Sequence, residues 1–113
     1  MSISESFHVF LSEAPEHSAA WLNAVKEFDQ ASALDRKTQE LAYLAVLASA
    51  RLTSGIPFHT KAAKRYGASR DEIIATILVG LPAVGNCVIQ SLPIALEAYD
   101  EIEPEERKPS TSF

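Results

Sequence analysis

Cysteine is nearly absent from this chain of 113 residues, and Cys87 stands alone. One thiol cannot close an intrachain disulfide, which excludes a disulfide scaffold and fits a reducing compartment, so the expected location is the cytoplasm. Cations are also few: 10 Lys and Arg face 15 Asp and Glu, giving a formal net charge of −5 and a pI near 5.1. A nucleic-acid backbone needs clustered Lys and Arg to displace its counterions, so no nucleic-acid partner is expected. The nearest thing to a basic patch is Lys61, Lys64 and Arg65, whose spacing suits the outer, solvated side of a helix. The three histidines, His8, His17 and His59, lack the paired spacing of metal ligands, and no metal is expected. There is no strand signal and no internal repeat.

Long apolar runs are limited to one. From Ile73 to Leu96 there is no charged residue, a length that could cross a bilayer. Gly80, Pro82, Gly85, Asn86, Gln90 and Pro93 interrupt it, so two shorter buried helices are expected instead of a membrane span. The start, "MSISESFHVFLSEAPEH", has neither the basic opening nor the apolar core of a secretory signal, and it carries acids where a transit peptide has arginines. No export is expected.

What the sequence does contain is helix. A first amphipathic helix opens at Ser12 or Glu13, accepts Pro15 in its first turn and runs to about Gln30, with Ala19, Trp21, Leu22, Val25 and Phe28 as its apolar stripe. A second is capped by Asp35 and runs through "RKTQELAYLAVLASARLT", rich in strong helix formers. Its second half is apolar nearly all round, which a small monomer has difficulty covering, so burial in a homo-oligomer is expected. A short helix from about Pro57 to Tyr66 is closed by Gly67, and "SRDE" is a capping box that starts the next at Arg70 and carries it to about Leu81. Pro82 admits a final helix from about Ala83 to Ile102, bent at Pro93. The fold class is therefore all-α, a small bundle of about five to six helices in a single domain over residues 1–103. Residues 104–113, charged and proline-containing, should form a mobile tail.

The run "LDRKTQELAYLAVLASARLTSGIPFHTKAAKRYGASRDEI" resembles the carboxymuconolactone decarboxylase family, in particular its alkylhydroperoxidase D-like branch. That branch has a glutamate, eleven residues, Cys-x2-Cys, three residues and a histidine, then an alanine and a glycine at four-residue steps and a Glu-Ile pair. Glu40, Leu52, Gly55, His59, Ala63, Gly67, Glu72 and Ile73 keep every spacing, with Leu52 and Gly55 in place of the cysteines. The similarity spans about residues 34–102.

In that branch the two cysteines reduce peroxide while the glutamate and histidine relay protons. Without a thiolate at Leu52 or Gly55 there is no attack on an O–O bond and no disulfide to recycle, so the dithiol chemistry is excluded at this site. The resemblance leaves Glu40 and His59 as a proton-transfer pair. The decarboxylase branch works without cofactor or redox cysteine, handling a proton near a developing enolate, which His59 is suited to do. Near a helix start His59 feels the positive end of the dipole, and free backbone N–H groups there could hold an anionic group of the substrate. The expected activity is cofactor-free acid/base chemistry on a small carboxylated or lactone substrate, with Glu40 and His59 catalytic and Leu52, Gly55, Ile56 and Phe58 lining the ligand. The alternatives are a non-catalytic oligomeric binding protein of the same family and a peroxidase acting through Cys87, whose apolar surroundings "VGNCVIQ" suit a buried thiol better. The resemblance also implies a trimer or hexamer.

One geometric condition follows. If the second helix ran straight to Thr53, Glu40 would lie ~20 Å from the turn and His59 only ~6 Å, at the helical rise per residue. For the two to meet, the helix must end early, the helices must cross, or a second subunit must supply one of them.

Overall fold

The computed structural model describes residues 4–102. The expected tail over 104–113 lies outside them. The described residues form α1 (Glu5–Glu13), α2 (Pro15–Ala31), α3 (Arg36–Ser49), α4 (Ile56–Arg65), α5 (Arg70–Leu78), the single turn α6 (Leu81–Val84) and α7 (Ser91–Asp100). Two 3-10 turns, Thr53–Gly55 and Asn86–Gln90, complete the all-helical chain.

The start signals act where the sequence places them. The Asp35 carboxylate accepts the Thr38 N–H at 2.8 Å to begin α3. At α5 the capping box is complete, Ser69 Oγ accepting the Glu72 N–H and Glu72 Oε1 accepting the Ser69 N–H. These backbone donors, helped by Lys37 beside both acids, hold the Asp35 and Glu72 carboxyls below their ordinary range.

The core is the meeting of α3, α4, α5 and α7. Leu44, Leu47 and Ala48 face inward from α3, Ile56 and Ala63 from α4, Ile73 and Ile77 from α5, and Ala95 from α7, at the three- and four-residue steps of one helix face. Val88, in the second 3-10 turn, is fully buried among them. Thr76 Oγ1 donates to the Leu41 carbonyl at 2.6 Å and ties α5 to α3 one residue from Glu40.

Four features depart from the sequence expectations. First, Glu5–Glu13 is a helix of its own, capped by Ser4, whose Oγ accepts the Phe7 N–H; the first expected helix therefore begins later, at Pro15. Second, α3 stops at Ser49, four residues short of Thr53. Leu52 N–H bonds to the Leu47 carbonyl at 2.9 Å and Arg51 N–H to the Ala48 carbonyl at 3.2 Å, with Arg51 in the left-handed region at φ 61. This is a Schellman closure with arginine where glycine is usual, so the sequence carries no stop signal there. Third, α5 ends at Leu78 and the final helix begins at Ser91, with Pro93 in its first turn instead of at a bend. Pro82 and Gly85 break the charge-free run into short pieces, and among the described residues no helix is long and apolar enough to cross a membrane. Fourth, Lys61 and Lys64 do not form a solvated face. Lys61 is 9% exposed and pairs with Glu101, while Lys64 Nζ donates to the Tyr99 carbonyl at 2.8 Å and lies 4.8 Å from the centre of the Tyr99 ring. Their stems pack along α7 and their ammonium groups reach acceptors at its end.

The stripe of α2 does not enter the core either. Trp21, Leu22, Val25 and Phe28 are exposed by 56%, 45%, 37% and 75%, and no apolar residue of α1 or α2 is counted among the buried ones.

The two Schellman closures give a matched test. Gly67, at φ 100, ends α4 with the same pair of bonds, from Ala68 N–H to the Ala63 carbonyl and from Gly67 N–H to the Lys64 carbonyl. Gly67→Ala should lower stability by about 1 kcal/mol, whereas Arg51→Gly should leave it unchanged or raise it by up to about 1 kcal/mol, because it relieves a left-handed arginine. Urea unfolding of both variants checks this; a clear loss with Arg51→Gly would contradict the assigned closure.

Candidate functional site

Glu40 and His59 meet within one chain. Because α3 ends at Ser49 and the 3-10 turn reverses the chain, α4 packs directly on α3, and His59 Nδ1 lies 2.7 Å from Glu40 Oε1. Of the three routes by which the pair could meet, the early helix end supplies the geometry and no second subunit is required. The side chains of His59 and Glu40 are 21% and 17% exposed, enough shelter to strengthen the contact and enough access for a ligand.

The imidazole is held on further sides. Tyr43, one turn beyond Glu40 on α3, stacks on it with ring centres 4.1 Å apart and planes 20° from parallel. Phe58 meets it edge-on at 5.1 Å and 84°. With Nδ1 engaged by a carboxylate, the neutral ring carries its proton on Nδ1 and presents the Nε2 lone pair.

The pair lies in the wall of a cavity of about 390 Å³ between α1 and α2 on one side and α3 and α4 on the other. Phe7, Trp21, Leu22 and Val25 line it from the first two helices; Gln39, Glu40 and Tyr43 from α3; and Ser54, Gly55, Phe58 and His59 from the turn and α4. Ser4 and Asp29 complete the lining, with Asp29 Oδ1 accepting from Gln39 Nε2 at 2.6 Å. A broader depression of about 550 Å³ lies along another face of α4, among Pro57, Lys61, Ile94 and Glu97, and does not include Glu40 or His59.

The sequence-predicted positions divide. Glu40, His59, Gly55 and Phe58 come together around the cavity. Leu52 is 56% exposed and outside the lining, because the left-handed turn at Arg51 directs it away, and Ile56 is fully buried in the core. Gly55 lies beside the imidazole: a Cβ there would stand 3.9 Å from His59 Cδ2 and 3.2 Å from Leu47 Cδ1. Cys87, partly buried, is not in the lining; its Sγ–H donates to the Val84 carbonyl at 3.6 Å. Among the described residues, no group of three or more metal-ligating side chains comes together.

Two groups escaped the sequence reading. Tyr43 could have been found, since it falls three residues after Glu40 on the same helix face. Trp21, Leu22 and Val25 were read only as part of an apolar stripe, and nothing in their spacing separates a core face from a cavity wall.

Comparison with known proteins identifies the family and the fold. The model of the carboxymuconolactone decarboxylase family matches residues 15–98, most of the chain. The crystal structure of an apo carboxymuconolactone decarboxylase family protein from Legionella pneumophila is similar over 91% of this chain and 88% of that one, with a TM-score of 0.72 and 25% identity. Among curated proteins no sequence matches.

The geometry makes a spectroscopic prediction. Above the titration of the imidazole, nitrogen-15 shifts should show His59 held as the Nδ1–H tautomer, and Glu40→Leu should release it to a mixture, with His8 and His17 as internal references. A wild-type ring protonated on Nε2 would show that the Glu40 contact is not maintained in solution.

Proposed function

The chain belongs to the carboxymuconolactone decarboxylase family, and from that premise we propose that it is a cofactor-free acid/base enzyme in which His59 moves a proton and Glu40 positions it. The observation that carries this reading is the 2.7 Å contact between His59 Nδ1 and Glu40 Oε1 in the wall of a cavity large enough for a small ligand. The substrate is a small carbonyl compound of the lactone or carboxylated type.

In the proposed step, Nε2 takes a proton from the carbon next to the substrate carbonyl. The C–H bond breaks, an N–H bond forms, and the electron pair moves onto the carbonyl oxygen as an enolate. Glu40 stabilises the resulting imidazolium through its existing hydrogen bond, and return of the proton to the same or a conjugated carbon completes the cycle. Tyr43 and Phe58 limit rotation of the ring, which keeps Nε2 directed at one place. Gly55 places only backbone beside the imidazole, at the position where the hydroperoxidase branch has a cysteine, with the Leu47 side chain packed close by.

Deuterium uptake next to the carbonyl of a panel of small lactones and their acids, followed by NMR in D2O, tests this reading. His59→Ala should slow uptake by about a hundredfold or more, and Glu40→Gln by a smaller factor. Equal rates in wild type and His59→Ala for every compound would remove the proposal.

The same reading includes assembly into a trimer or hexamer. Its support is the apolar surface left uncovered on one chain, with Phe28 75% and Val46 64% exposed. Sedimentation velocity at micromolar concentration should show an oligomer, and Val46→Lys or Phe28→Lys should weaken it. A wild-type monomer would contradict this part of the reading while leaving the intramolecular Glu40–His59 pair intact.

A further inference from the structure

We infer that the His59 cavity takes a ring-shaped, largely apolar ligand without a carboxylate and discriminates against anions. The inference rests on the site assignment above for what happens to the ligand, but not for which ligand binds.

Charge is the first argument. Among the described residues lining the cavity there is no Lys or Arg, whereas two carboxylates, Asp29 and Glu40, are present. With a neutral imidazole the lining carries two negative charges, and with an imidazolium it still carries one. A ligand carboxylate brought into this partly sheltered space would face like charge with no fixed cation to offset it, and would lose hydration on entry. Lys26 and Arg36 line an adjoining depression that shares Leu22, Val25 and Asp29 with the cavity, but neither is part of the cavity's own lining.

The start of α4 does not make up the difference. A helix N-terminus accepts anions through its free N–H groups. Here Ile56 N–H donates to the Thr53 carbonyl and Pro57 has no N–H to offer. Two of the donors that an anion would use are thus occupied or missing, contrary to the anion-holding role suggested by the position of His59 alone.

The remaining surface selects what does fit. Trp21, Tyr43, Phe7 and Phe58 present aromatic faces and edges, joined by Leu22 and Val25. Each carboxylate contact uses one oxygen, Asp29 Oδ1 with the Gln39 amide and Glu40 Oε1 with His59, so both acids keep their negative charge toward the cavity and repel a ligand anion. A neutral ring with a C–H next to its carbonyl matches the apolar walls and the Nε2 lone pair, which accepts that proton. Between the carboxylated and lactone ligands that the sequence suggests, the cavity favours the lactone. A substrate with no carboxylate has no carbon dioxide to lose, so the chemistry at His59 becomes proton transfer alone, as in enolisation or double-bond migration.

Trp21, the sole tryptophan, lines the cavity and reports binding directly. Two compounds of similar shape and different charge are titrated into the full chain near neutral pH, phenylacetamide and phenylacetate, each followed by the indole N–H resonance of Trp21. The amide should bind at least about tenfold more tightly than the carboxylate. The double variant Asp29→Asn, Glu40→Gln keeps acceptor oxygens at both positions and should bring phenylacetate severalfold closer to the amide. Binding of phenylacetate as tight as the amide, no binding of the amide, or an unchanged ratio in the double variant would each overturn the inference. Because these titrations involve no turnover, amide preference without deuterium uptake would sink only the catalytic reading, and uptake confined to carboxylates would sink only the ligand class.

Discussion

The end of α3 governs everything that follows it in the chain. A helix continued to Thr53 would carry the reversal too far along for His59 to reach Glu40, which lies near the start of that helix. Two backbone bonds and one left-handed residue at Arg51 stop it at Ser49, and the 3-10 turn Thr53–Gly55 then delivers Ile56 into the core and His59 to the opposite helix. The buried face of Leu44, Leu47 and Ala48 and the 2.7 Å proton-handling contact are consequences of one reversal. Close packing supports it, since Gly80 passes so near the end of α3 that a Cβ there would stand 2.5 Å from Ser49 Oγ.

Much of this was legible in the sequence, and the parts that were not share a cause. Asp35, Ser69, Glu72 and Gly67 announce helix ends through side-chain chemistry or the lack of a side chain, and each acts as its chemistry requires. Arg51 announces nothing, because its left-handed backbone is held by backbone hydrogen bonds that its side chain does not make. The same holds for Lys61 and Lys64, whose charge suggests solvent while their acceptors at the end of α7 are distant in sequence. For the site, spacing identified Glu40 and His59, and helix periodicity would have added Tyr43. Leu52 and Ile56 fall outside the cavity lining because proximity along the chain is a poor guide across a tight turn, where successive side chains diverge to solvent, core and cavity.

The site also shows how a family position can be reused. At Gly55 there is only backbone beside the imidazole, with Leu47 packed close to where a Cβ would stand. The Glu40–His59 contact is made between α3 and α4 and needs no sulfur at Leu52 or Gly55. The histidine is left in the wall of a cavity lined by aromatic rings and two carboxylates.

The hairpin of α1 and α2 supplies much of that enclosure while contributing no apolar residue to the buried core. Its attachment includes the Gln39–Asp29 hydrogen bond and the apolar contacts around the cavity. A guest seated in the cavity would touch the hairpin and the core helices at once, so part of its binding free energy would go into holding the two together.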